Sequence, residues 1–405
     1  MDCGVDGHEN MIDMNDTTVS IALEGLQMFA SWYSSIHKFL SVFICVFGIL
    51  ANSVHIIILT RNVMKRSTVN RLLAFMAGCD IIKMLTYLIY MIRFNLSMFG
   101  SIMVDEDGIT RRGYSFPWIV FLLSHITLSI DLHSTSLYLS VCTAFIRYKA
   151  IKQLQSRFMQ PQIAWKIFAI VFICVGFLCI PTFMVHQVYK DPMQDLYTVG
   201  LPRSDPNSCR LFMFNLWLTG IFFKVLPCVC LITFTFLLLY NLHRNQRKHE
   251  KIVSKESAMS RSTRSDRTTL LLVLLLFVFI VTELPQGFLA ILNGIYPSEV
   301  HAYLYTPLGE ILDLLSLING NACFILYPCI SSQYRESFRM MVARGRQAMS
   351  SYSGRNSRSS SHKTIKYSAV ERKPTNHSNH SNHSNAESRF SSPTSPSKNP
   401  PIVNV

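Results

Sequence analysis

The chain has 405 residues, 49% of them hydrophobic and 15% charged, with 38 Lys and Arg against 24 Asp and Glu. The mean hydropathy of +0.26 excludes an ordinary soluble protein of this size, which carries more charge, and moves the prior to a membrane protein. The formal charge of +14 is spread over loops and tail instead of one stripe, which argues for membrane topology and against a nucleic-acid partner.

In chain order, the acidic opening "MDCGVDGHENMIDMNDTTVS" lacks the basic-then-apolar start of a secretory signal. It holds one glycosylation sequon, Asn15-Asp16-Thr17. Seven apolar runs then follow near 38–60, 71–93, 117–147, 163–186, 212–241, 268–292 and 303–328, each long enough for the roughly 20 residues a bilayer requires. Basic residues collect after runs one, three and five: Arg61, Lys65, Arg66 and Arg71, then Lys149, Lys152 and Arg157, then a longer series from Arg244 to Arg267. The positive-inside rule therefore puts the N-terminus outside and the C-terminal tail in the cytosol, which makes Asn15 an accessible acceptor.

The expected organisation is all-α. Residues 1–37 form an extracellular N-terminal segment and 38–330 a seven-transmembrane bundle; 331–343 form a short amphipathic helix and 344–405 a disordered cytosolic tail. In the tail, "NHSNHSNHSN" repeats three further sequons on the wrong side for glycosylation. His377, His380 and His383 there read as low complexity before metal ligands.

Ionisable residues inside hydrocarbon are costly, so each is a functional candidate. They are Asp80 and Lys83 in run two, Asp131 and His133 in run three, Lys224 in run five, Glu283 in run six and Asp313 in run seven. Structural ion pairs are the plain alternative for any one of them. On a helix, His125, His133, Ser136 and Ser140 share the face of Arg147 while Asp131 lies nearly opposite. A helix polar on two sides belongs at the centre of a bundle. Pro181, Pro227 and Pro285 fall inside apolar runs, where each removes a backbone bond and leaves carbonyls to be satisfied.

These landmarks together resemble a rhodopsin-like (class A) G-protein-coupled receptor. They are Asn52 in "GILANSV", Asp80 in "LLAFMAGCD", Arg147-Tyr148 ending run three, Trp165, Pro227, Pro285, and Tyr327 before "SSQYRESFRMM". The finer pattern of "FIRY", "TELPQG" and "CFILYP" is most similar to invertebrate myosuppressin and FMRFamide-type neuropeptide receptors and to the related nematode class W serpentine receptors. The chain departs from the wider family at several points. Ile146 stands where an acid usually precedes the arginine, and Ser265, with Asp266 adjacent, where an acid often restrains it from run six. Glu283 replaces a tryptophan, and Cys323-Phe324 replace Asn-Pro. The family's outer disulfide lacks its usual first cysteine here; both a Cys3–Cys209 bridge and a free Cys209 stay open.

The resemblance implies a plasma-membrane receptor for an extracellular peptide, with Arg147, Tyr148 and Tyr327 at the heterotrimeric G protein and lipid around the spans. It implies no cofactor and no catalytic site. Asp80, Ser136 and Asn319, with Asn52 nearby, match a polar core that takes a sodium ion in the family. An amidated Arg-Phe ligand needs an acid and an aromatic wall, for which Glu283, Trp118, His125, Gln286 and Tyr303 are the candidates. A salt bridge from Glu283 to Lys83 or Lys224 is the rival for that acid. A small-molecule chemosensory ligand on the same fold is the alternative. A transporter would show two related halves, and a metal enzyme histidines at helical spacing; neither pattern is visible. Serine clusters in the tail suit arrestin, and Val403-Asn404-Val405 has the form of a PDZ ligand.

Overall fold

The computed structural model describes residues 12–13, 15–96, 101–104, 110–152, 160–190, 195–200, 206–250 and 255–347. Span one is one helix, Thr17–Leu59, begun by Asp16, whose carboxylate accepts from the Thr18 N–H at 2.8 Å. At 43 residues it is about 65 Å long, twice the hydrocarbon thickness. It therefore starts well before the expected 38, inside the stretch that composition assigns to an N-terminal segment. The extra turns are tied to other spans: Ser34 Oγ donates to Glu310 Oε1 at 2.8 Å, and His37 Nε2 meets the Tyr87 hydroxyl at 3.1 Å.

The six further spans are Thr68–Leu96, Phe116–Ala150, Ile163–Val185, Asn207–Arg244, Val273–Ile295 and His301–Cys329; all seven are long and apolar enough to cross a membrane. A last helix covers 332–347. Two antiparallel hairpins, β1 (Ser101–Val104) with β2 (Thr110–Gly113) and β3 (Gln187–Lys190) with β4 (Tyr197–Gly200), lie at the end where spans two and four finish. Tyr114 links them by pairing with Tyr197.

The prolines behave differently from one another. Pro181 falls in the first turn of a new helical piece, Ile180–Val185, after a break at Cys179, where its missing N–H costs nothing. Pro227 follows a π turn, Thr219–Val225, in which the Leu226 N–H bonds Ile221 five residues back. In that register Pro227 has no N–H for the Phe222 carbonyl. The Tyr138 hydroxyl of span three donates to it instead, at 2.6 Å, so the freed carbonyl is satisfied by a neighbouring helix. A second π turn, His301–Tyr305, precedes Pro307. Pro285 stays inside the helix Lys255–Ile295.

Span three is central: every residue from Asp131 to Leu137 is buried, all round the helix. Span four is peripheral, with Trp165, Ile173 and Phe177 at 60%, 68% and 72% exposure, a surface that suits lipid and not water. Small residues permit close approach where spans one, two and seven meet. Side chains would strike Met84 and Asn321 from Gly48, and Met84 and the Asp80 carboxylate from Gly320.

Candidate functional site

The bundle centre holds a hydrogen-bonded chain of charged groups from five spans. Lys83 donates to His133 Nδ1 at 3.2 Å and to the Ser316 carbonyl at 3.0 Å. A donor at Nδ1 leaves the histidine proton on Nε2, which points at Glu283 Oε2, 3.1 Å away. Lys224 reaches the same oxygen at 2.8 Å and Gln286 Oε1 at 2.8 Å, while Asn319 Nδ2 donates to Glu283 Oε1 at 2.9 Å. Glu283 and Gln286, three residues apart on span six, present one face to Lys224. Glu283 itself is fully buried. The network meets the demand that charges in hydrocarbon be paired and hydrogen-bonded.

Glu283 is thus engaged as the rival reading expects, in a salt bridge to Lys224. Both its oxygens are taken by protein donors. Of its two rival partners, Lys224 binds it directly and Lys83 is connected only through His133.

Above the network lies a cavity of about 320 Å³ among spans three, five, six and seven, lined by His133, Lys224, Gln286, Tyr305, Asp313 and Ser316 among others. Of the five expected ligand contacts, only Gln286 lines it. His125 is buried and stacked on Tyr90 at 5.2 Å, and Trp118 lies beneath the Arg93 guanidinium at 4.8 Å. Tyr303 is half-buried in the π turn and does not line this cavity. The tyrosine of this π turn that lines the cavity is Tyr305. Asp313 is one of the charges that the sequence places inside a span, but spacing gives it no role; nothing in the sequence signals Tyr305.

Below the network a smaller cavity of about 70 Å³ joins Asp80, Ser136, Asn319, Thr143, Arg147 and Tyr327. Three of the four polar-core candidates thus meet. Asn52 stands behind them, donating to the Gly48 and Gly320 carbonyls at 3.0 and 3.2 Å. The buried Ser136 hydroxyl and the Asp80 carboxylate are neighbours in this cavity. That oxygen pair fits a small hard cation, although Cys323 brings a sulfur to the same wall.

Arg147 is half-buried at the far end of this cavity, and its Nη1 has no hydrogen-bond partner. Among the described residues no acid pairs with it; the Asp266 side chain lies outside them. Ile146 is 3% exposed and packs with Leu72, Leu139 and Tyr327, so this position is apolar core here. Tyr327 donates to Asn70 Oδ1 at 2.8 Å, and Asn70 in turn binds the Met64 carbonyl at 2.9 Å. Tyr334 of the last helix meets His55 Nδ1 at 3.1 Å and packs on Tyr327. Tyr148 is half-buried beside Arg147 and does not line the cavity.

Asn15 sits exposed in the turn before span one. Cys209 is disulfide-bonded and nine other cysteines are free; Cys3, its candidate partner, lies outside the described residues, as do the tail motifs.

Seven apolar helices around a polar core, with a cavity toward one end and an arginine at the other, define a seven-transmembrane bundle. Residues 39–345 match the model of the family described as serpentine type 7TM GPCR chemoreceptor Srw, and the chain belongs to that family of G-protein-coupled receptors. It is 32% identical over 355 residues to the G-protein coupled receptor dmsr-1 of Caenorhabditis elegans, covering 76% of this chain and 68% of that protein. It is 24% identical over 315 residues to the FMRFamide receptor of Drosophila melanogaster, covering 74% of this chain and 52% of that protein.

Proposed function

We propose that the protein is a plasma-membrane receptor, N-terminus outside, for an extracellular amidated peptide ending in Arg-Phe, and that it activates heterotrimeric G proteins. The observation that carries this reading is the 320 Å³ cavity, which presents hydrogen-bonding groups of both kinds, Lys224 and Asp313, among apolar Ile130, Phe223 and Leu312. Its volume is in the range of sites for small ligands or peptide ends. The similarity to a receptor named for FMRFamide supports the peptide class.

In this mechanism the peptide's end enters between spans three, five, six and seven. It favours one arrangement of the bundle only to the extent that it binds that arrangement better. The network of Lys83, His133, Glu283, Lys224 and Asn319 ties these spans together beneath the cavity, so a shift of span five or six changes its bonds. Release of Tyr327 from Asn70 and exposure of Arg147 and Tyr148 then create the G-protein face. A sodium ion, if held by Asp80 and Ser136, supplies positive charge that neutralises the carboxylate.

The family's description as chemoreceptors favours one second reading, a small-molecule ligand in the same cavity. Cells expressing the full chain and challenged with amidated Arg-Phe peptides and with small odorants separate the two. G-protein activation by the peptides is expected; activation by odorants alone sinks the peptide reading.

A further inference from the structure

We propose that Asp313 is the residue that receives the arginine of the peptide, an inference that rests on the peptide reading above and names the acid within it. Among the described residues, five acids project from the spans into the bundle: Asp80, Asp131, Glu283, Glu310 and Asp313. Of these only Asp313 is exposed, and it is among the residues that line the 320 Å³ cavity. Glu283 is sealed by Lys224, His133 and Asn319. Glu310 is half-buried and accepts from Ser34. Asp80 lines the lower cavity, and Asp131 lies against Gly176 of span four.

The one hydrogen bond to Asp313 among the described residues comes from the Tyr87 hydroxyl to Oδ2 at 3.3 Å, a long contact. Oδ1 therefore remains for a donor from the cavity. A carboxylate with open surface inside a membrane bundle is costly unless it meets water or a cation. A guanidinium, which binds carboxylates through two parallel N–H donors, meets that need with the best geometry. Lys224 on the same cavity repels a second cation from its own wall, so the ligand's positive charge is directed to Asp313. Ile130, Phe223 and Leu312 then supply the apolar contact for the neighbouring phenyl ring.

The test uses the full-length receptor in cells, with surface expression and G-protein activation both measured. The probes are the most potent member of a panel of amidated peptides ending in Arg-Phe and its analogue with citrulline, isosteric but uncharged, in place of arginine. In the wild type, citrulline should raise the half-maximal concentration about 10- to 100-fold, the scale of a charge-assisted bond. Asp313→Asn should cause a similar loss with the arginine peptide and no further loss with citrulline. Asp313→Glu should retain the arginine preference, as should Glu283→Gln. Equal preference for arginine in wild type and Asp313→Asn overturns the assignment of Asp313 while the peptide reading stands. If Asp313→Asn does not reach the surface, the other variants decide: loss of the preference in Glu283→Gln, or no preference in the wild type, overturns it. Silence of the wild type to the whole panel overturns the peptide reading, and this inference with it.

Discussion

Lys224→Met is expected to destabilise the solubilised receptor by about 3–5 kcal/mol, the cost of leaving a buried charge without its partner. The charge left behind is Glu283, fully buried, which would keep only His133 Nε2 at 3.1 Å and Asn319 Nδ2 at 2.9 Å. Both remaining donors are neutral groups, and neither compensates a full negative charge in a low-dielectric core. Glu283→Gln alone should also destabilise, because Lys224 would retain only Gln286 and the new amide. The double substitution Lys224→Met with Glu283→Gln should recover most of the loss, since it removes both charges together. Thermal denaturation of the four proteins in detergent measures the coupling. Additive losses would mean that the two side chains do not stabilise each other, and the charge network would then not be what holds spans five and six together.

Thr143→Asp should lower basal nucleotide exchange several-fold, by about 10-fold for each 1.4 kcal/mol gained by the resting form. Thr143 is buried, its hydroxyl has no hydrogen-bond partner, and it lines the same cavity as Arg147. An acid there stands four residues before the arginine on one helical face, the favourable order for a pair within a helix. It would hold the guanidinium inside the bundle and away from the G protein. Thr143→Asn, equal in shape but uncharged, should leave basal exchange near the wild type. The more obvious substitution, Ile146→Asp, is a poor version of this experiment. It would place a carboxylate among Leu72, Leu139 and Tyr327 and should reduce the amount of folded receptor before it affects signalling. Equal basal exchange in Thr143→Asp and Thr143→Asn would remove Arg147 from the control of the resting state.

The seven spans are legible in the sequence because apolar runs of bilayer length seldom serve any purpose but crossing a membrane. The centrality of span three follows from polar groups on its opposite faces. The start of span one is not legible. Its first turns depend on a cap at Asp16 and on contacts such as Ser34 with Glu310, which join residues 276 positions apart. The cavity above the charge network is only partly legible, for two reasons. Charge alone draws attention to Glu283, and only geometry reveals that three donors from three other spans already occupy it. The π turns at Thr219–Val225 and His301–Tyr305 shift side-chain directions in a way that α-helical spacing does not register, and it is Tyr305, not Tyr303, that lines the cavity. The lower cavity is easier: Asp80, Ser136, Asn319, Arg147 and Tyr327 lie in uninterrupted α-helix, where spacing maps directly onto faces.

We propose that the cavity beside Asp313 and the Arg147 end of the bundle are coupled sites of one two-state receptor. Coupling of binding is reciprocal, so a G protein bound at one end must tighten peptide binding at the other. The decisive measurement is the affinity of an active amidated Arg-Phe peptide for receptor in membranes, with and without purified heterotrimeric G protein, in the wild type and in Arg147→Gln. The G protein should tighten binding in the wild type by about 5- to 150-fold, excess guanine nucleotide should reverse this, and Arg147→Gln should abolish the shift while its G-protein-free affinity stays unchanged. Identical peptide affinity with and without G protein in the wild type, or an undiminished shift in Arg147→Gln, would contradict it.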